Sequence, residues 1–122
     1  MKRALVIEDN EDNMELITFI LELSGYDTIR AENGRKGYDI ALKERPDFII
    51  LDIQLPDIMG TDVLKMIRAS AIGKSIPVIA MTSYAMAGDE QMLIAAGCDG
   101  YIEKPINPEI VVDQIKKIIG ED

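Results

Sequence analysis

Short, unbroken apolar runs alternate along this chain with longer stretches whose apolar residues recur at helical spacing. Residues 4–7, 48–51, 78–81 and 101–102 form such runs, and 26–31 reads as a further strand. Runs this short, bounded by polar and turn residues, predict buried strands. Between them the spacing predicts helices. The first opens after Asn10 as N-cap, carries Met14, Ile17, Ile20 and Leu21 inward, and ends at Gly25. A second covers about 35–44 and stops at Pro46; residues 56–60 then turn into a third, with Val63, Leu64 and Ile67 on one face. The fourth strand follows Pro77, and a fourth helix runs from 86 towards 96, closed by Gly97. Residues 100–103 form the fifth strand. The last helix has the clearest start: Asn107 as N-cap, Pro108 at the first helical position, and Glu109 near the positive end.

Five repeats of strand then helix predict an α/β fold, a doubly wound parallel five-stranded sheet with helices on both faces. A flavodoxin-like (βα)5 order of 2-1-3-4-5 puts the first and third strands at the switch point, where ligands bind beyond the strand ends. The first run stops at Glu8 and Asp9, the third at Asp52, and Lys104 follows the fifth. These side chains then share one crevice, acidic with a single cation on its rim. That is a magnesium and phosphoryl site rather than a pocket for a bare anion.

Composition narrows the function. A chain of 122 residues, 48% hydrophobic and 29% charged, fits a single domain over 1–122. No apolar run approaches the roughly 20 residues needed to cross a bilayer, so a cytoplasmic location is expected. The net charge of −9 argues against direct nucleic-acid or anionic-membrane binding. Cys98 is the only cysteine, which excludes an internal disulfide. There is no histidine, so any phosphohistidine donor must be another protein.

Four segments in order carry a resemblance: residues 6–10 (Val-Ile-Glu-Asp-Asn), 50–56 (Ile-Leu-Asp-Ile-Gln-Leu-Pro) with Gly60, 81–83 (Met-Thr-Ser), and Lys104-Pro105. Together they make the chain similar, over essentially its whole length, to the response-regulator receiver domains, the CheY-like family. The opening Glu8 to Asn13, Gln54 and residues 85–90 resemble the stand-alone DivK-type regulators and the receivers of hybrid kinases. The resemblance implies that Asp52 accepts phosphate and that Asp9 binds magnesium directly. Glu8 binds it directly or through water, and the carbonyl of Gln54 completes the protein's share. It implies that Thr82 and Lys104 each engage a phosphoryl oxygen, that Tyr101 changes rotamer on activation, and that the Lys104–Pro105 peptide is often cis. The implied partners are a histidine kinase or histidine phosphotransfer protein and a downstream protein target. The chain is then a monomer or a phosphorylation-dependent dimer. The resemblance also implies that it is not a conventional enzyme and catalyses only its own phosphoryl transfer and autodephosphorylation.

The chemistry suits these groups. Crowded carboxylates repel, so the empty site should show raised proton affinities or hold a cation. Magnesium takes about six oxygen ligands at ~2.1 Å and keeps several waters, leaving room for a phosphoryl oxygen. Phosphorylation adds about −1.5 to −2 charges, which would draw Thr82 in and let Tyr101 turn inward. The face of the fourth helix, fifth strand and fifth helix would then change for a partner, and output is expected to run through such protein contacts. Gln54 and Tyr84, two residues past Asp52 and Thr82, should flank attacking water and set the phosphoryl lifetime. A bulky Tyr84 predicts a long-lived phosphoform, lost faster in Tyr84→Ala.

Plainer readings compete. Alone, Glu8 and Asp9 equally suit a solvated strand-to-helix turn; Lys104 suits a surface lysine, Thr82 a helix cap, and Tyr101 sheet filler. Met14, Met66, Met81, Met86 and Met92 suit core gap-filling, with Met86 or Met92 available to a partner. Cys98 reads as a small buried residue, and Asp89-Glu90 and Glu121-Asp122 as solvated charge. A phosphate relay or sink is a related function. A haloacid-dehalogenase-like phosphatase would want a second acid where Gln54 stands, and a flavin carrier would want amide and hydroxyl donors where residues 8–12 present acids.

Overall fold

The computed structural model describes residues 2–83 and 89–121. The strands β1 (Arg3–Ile7), β2 (Asp27–Ala31), β3 (Phe48–Asp52), β4 (Val78–Thr82) and β5 (Gly100–Glu103) form one parallel sheet, ordered β2-β1-β3-β4-β5. The helices are α1 (Glu11–Leu23), α2 (Gly34–Glu44), α3 (Gly60–Ala69), α4 (Asp89–Ala96) and α5 (Val111–Ile119). The doubly wound architecture and its strand order are those expected. Because successive strand side chains point to opposite faces, β1 feeds two cores. Ala4 and Val6 join Met14, Ile17 and Leu21 of α1 and Val111 and Ile115 of α5. Leu5 and Ile7 join Ala41 of α2, Val63, Leu64 and Ile67 of α3, and Leu93 of α4. All five residues of β3 and of β4 are buried, which is why those strands read as continuous apolar runs rather than alternating ones.

The register sets the site. Ile7 pairs with Leu51, Asp52 with Met81, and Thr82 with Glu103. Glu8, Asp52, Thr82 and Lys104 therefore leave the sheet at nearly one level. Main-chain bonds continue past the strand ends, from Glu8 N to Ala31 O (3.0 Å), Ile53 N to Met81 O (3.1 Å) and Lys104 N to Thr82 O (2.8 Å). These bonds fix the side chains where the pairing stops.

Most helix boundaries match expectation. Asn10 caps α1, its side chain accepting from Asn13 N at 2.9 Å. Asn33 caps α2 by accepting from Lys36 N at 2.8 Å, so this helix starts one residue earlier than expected. It ends at Arg45, in the left-handed region at φ 47°, immediately before Pro46. Helix α5 departs further. Asn107 is not its N-cap, which is Ile110: the Asn107 side chain accepts from Glu109 N (3.0 Å), and its carbonyl is shared by Ile110 N (3.1 Å) and Val111 N (3.0 Å). That sharing tightens 108–110 into a turn, and the regular helix starts at Val111. The described part of α4 begins at Asp89, and the expected start at 86 lies outside the described residues.

Two long-range contacts correct the sequence reading. Glu121 is not simply solvated charge: it is half-buried, pairs with Lys2, and accepts from the Tyr26 hydroxyl at 2.8 Å. Tyr26 in turn packs edge-on against Phe48, with ring centroids 5.4 Å apart, and precedes β2. Arg68 of α3 donates to the carbonyls of Gly97 (2.8 Å), Gly73 (2.8 Å) and Ile76 (2.6 Å) and to Asp99 Oδ2 (2.8 Å). One planar cation thus ties the α3–β4 and α4–β5 connections at the end of the sheet opposite the site. Arg68→Met should lower stability by about 2 kcal/mol. In thermal unfolding the midpoint should fall by roughly 10 °C, with no change in the site's chemistry.

Candidate functional site

Glu8 and Asp52, from the ends of adjacent strands β1 and β3, are both only 4% exposed. Asp9, the next residue along, is exposed. Carboxylate oxygens of Glu8, Asp9 and Asp52 lie within 4.8 Å of one another. Lys104, carried in after β5, places Nζ 2.7 Å from Glu8 Oε1 and 3.2 Å from Asp52 Oδ1. The backbone N–H of Gln54 donates to Asp52 Oδ1 at 3.2 Å, and that of Asn10 to Glu8 Oε2 at 3.4 Å. The four residues at the strand ends do converge.

Their protonation is shared unequally. Burial, and then the hydrogen bond and negative charge of Glu8, push the Asp52 carboxyl up to about 7. For Glu8, burial favours the neutral acid, but the hydrogen bonds from Asp52 and Lys104 outweigh it and hold this carboxyl below its usual range. Burial alone would lower the Lys104 ammonium; Glu8 and Asp52 outweigh that and raise it. The expected rise in proton affinity therefore falls on Asp52, while the hydrogen bonds from Asp52 and Lys104 hold Glu8 low.

The donor set suits a hard cation: three carboxylates, two of them buried, with all-oxygen ligation and one open, exposed side. Magnesium there would compete with the proton that burial and Glu8 favour on Asp52.

The remaining expected residues flank this cluster. Thr82 ends β4 and is 7% exposed. Tyr101 in β5 is half-buried against the α2–α4 core. Gln54 is exposed, and its side of the site opens into a cavity of about 780 Å³ walled by Leu55, Met59, Thr82 and Met92. Tyr84 and Met86 lie outside the described residues. The Lys104–Pro105 peptide is cis. Met14 and Met81 are buried as expected and Met66 is half-buried, whereas Met92 is 58% exposed. Cys98 is buried, and burial pushes its thiol up even though Arg68 brings a positive charge near it, a neighbour hidden by the distance along the chain. Among the described residues no helix is long and apolar enough to cross a membrane.

Known proteins place this arrangement. The sequence profile of the response regulator receiver domain matches residues 4–116. The polar-differentiation response regulators DivK of Brucella anthropi and Brucella ovis are 43% and 42% identical over 120 residues, 98% of this chain and 98% of theirs. Chemotaxis response regulator CheY4 of Vibrio cholerae superposes with a TM-score of 0.92 at 27% identity, covering 97% of this chain and 98% of that one. The receiver domain of sensor histidine kinase PA1611 from Pseudomonas aeruginosa does so at 0.89 with 30% identity, over 98% of both chains, and holds a magnesium ion in its active-site cleft. With these likenesses spanning nearly all of its length, the chain belongs to the response regulator receiver domains of two-component systems.

Proposed function

We propose that this receiver accepts a phosphoryl group on Asp52 from a phosphohistidine in a histidine kinase or phosphotransfer protein, with magnesium as cofactor, and signals through the α4–β5–α5 face. The carrying observation is the Lys104 ammonium seated between Glu8 and Asp52, with Asp9 closing the acidic triangle. An Asp52 oxygen attacks phosphorus, the phosphorus–nitrogen bond of the donor breaks, and its electron pair leaves with the imidazole. Glu8, Asp9, Asp52 and the Gln54 carbonyl would hold the magnesium, which supplies positive charge to the phosphoryl oxygens.

The chain's own groups do the rest. Lys104, already charged, moves from bridging two carboxylates to pairing a phosphoryl oxygen, so its charge is in place before transfer. Thr82, level with the site in the register, donates its hydroxyl to another oxygen. Drawing Thr82 in changes the packing between β4 and β5, and Tyr101 is the side chain on β5 that answers it. Gln54, exposed beside Asp52, borders the path of attacking water. A downstream protein reads the result, either as a monomer's altered face or in a phosphorylation-dependent dimer.

Intact-protein mass spectrometry after incubation with acetyl phosphate tests this reading. One phosphoryl adduct should form with magnesium, none without it, and none in Asp52→Asn. An adduct that survives Asp52→Asn, or no adduct even with a phosphohistidine donor, would sink it.

A further inference from the structure

The loop that follows the acceptor, residues 53–59, is tied at three points. At its base Gly60 N donates to Ile53 O at 2.9 Å. At its start Gln54 N donates to Asp52 Oδ1 at 3.2 Å. At its far end Asp57 reaches across the chain to α2, accepting from Gly34 N at Oδ1 (2.8 Å) and from Arg35 N at Oδ2 (3.0 Å).

The last tie completes a helix terminus. The first four N–H groups of a helix have no partner within it. In α2, Gly37 N makes the first regular helix bond, to the Asn33 carbonyl, and the Asn33 side chain takes Lys36 N, one of the four. Gly34 N and Arg35 N are left to Asp57, a residue of a different loop. The packing agrees: a Cβ on Gly34 would sit 2.7 Å from Val63 Cγ2 and 3.3 Å from both Asp57 Oδ1 and Ile58 Cβ. Helix α2 therefore presses its N-terminus onto the loop at a position where only glycine fits without displacement.

We propose that Asp57 is a positioning residue: by capping α2 it fixes the 53–59 loop beside Asp52 and thereby sets the affinity of the carboxylate cluster for magnesium. This rests on the reading of Glu8, Asp9, Asp52 and the Gln54 carbonyl as the metal's ligands. The loop carries the Gln54 peptide, which touches Asp52 directly, so slack at Asp57 moves a ligand and the partner of another. Residues that hold metal ligands in place commonly cost 10–100-fold in affinity when replaced. Acting through the loop, Asp57 belongs at the low end of that range.

Two readouts that need no phosphoryl transfer test the proposal: calorimetric titration with magnesium well below the unfolding midpoint, and amide exchange of residues 53–59. Asp57→Ala should weaken magnesium binding by about tenfold and speed exchange across the loop. Asp57→Asn, which keeps one acceptor oxygen, should fall between it and wild type. Asn33→Ala is the structural control. It removes the other α2 cap without freeing the loop, so it should lower the thermal midpoint while leaving both readouts unmoved. Unchanged magnesium affinity in Asp57→Ala overturns the proposal, as does an equal loss in Asn33→Ala, which would mean that α2 stability alone is being measured. If wild type itself binds no magnesium, the ligand reading fails and the proposal with it. That outcome is distinct from failure of the proposal alone, in which wild type still binds.

Discussion

Lys104→Met is expected to slow phosphoryl uptake at Asp52 by roughly 100-fold or more, the usual cost of removing one preorganised charge from a transfer site. It should also change how stability depends on pH. In wild type the Asp52 carboxyl stands at about 7 against an ordinary 3.8. A group raised on folding stabilises fully below its unfolded value, and that contribution is lost as pH climbs through the folded one. Glu8 works in the opposite sense: held low on folding, it contributes above its ordinary range and loses that contribution as pH falls. Metal-free protein should therefore be most stable in mild acid and weaken towards pH 7 and above.

Removing Lys104 takes away the cation that screens both carboxylates. The variant should weaken more steeply with rising pH, by an additional amount on the order of 2 kcal/mol, below the full cost of stripping one partner from a buried pair because Asp52 can take a proton. Urea unfolding of wild type and Lys104→Met at pH 5 and pH 8 reads this difference. Adding Asp52→Asn to the variant should flatten the dependence again. A pH profile identical to wild type would mean that Lys104 does not govern the charge on these carboxylates.

Gly60→Ala should be the most damaging single methyl in the site's surroundings. A Cβ there would lie 2.5 Å from Ile53 Cα and 2.6 Å from Asp52 O, and both are main-chain atoms that no side-chain rotation can move aside. Either α3 retreats or the backbone after Asp52 shifts. Overpacking of this kind costs about 3 kcal/mol, and here the displaced peptide belongs to the acceptor itself. Loss of phosphoryl uptake should therefore exceed the fraction unfolded, measured by comparing adduct yield with circular dichroism at one temperature. Yield that merely tracks the folded fraction would show that the shift is absorbed by α3 and never reaches Asp52.

The sheet was legible from five strand–helix repeats and a flavodoxin-like order, and the convergence of Glu8, Asp9, Asp52 and Lys104 from where the apolar runs stop. A buried strand announces its end by the first charge. The inward faces of α1 and α3 were legible for the same reason, as Met14, Ile17, Val63, Leu64 and Ile67 repeat at helical spacing. What could not be read were polar contacts between residues far apart in the chain. Glu121 looks solvated until Tyr26, 95 residues away, donates to it. Arg68 has no visible purpose until Gly97 and Asp99 are folded beside it. Asp57 looks like an ordinary turn acid until it meets a helix 22 residues earlier. The start of α5 failed differently: Asn107 caps only the turn before it, and the helix takes Ile110 as its N-cap because the Asn107 carbonyl is shared between two N–H groups.

The level register of the strand ends gives the molecule a working end and a mute one. Everything charged and buried in the site leaves the sheet on one side, so the connections on the other side answer only to folding. They are not equivalent, because Arg68 stitches the approaches to β4 and β5 together. The turn from α1 into β2 escapes that stitching. Leu23, Ser24 and Gly25 are exposed, and a side chain on Gly25 would meet nothing within 4 Å. A reporter peptide or a whole guest domain spliced between Ser24 and Gly25 would ride on the receiver at the pole farthest from its chemistry, turning a small switch into a carrier whose signal can be watched without being touched.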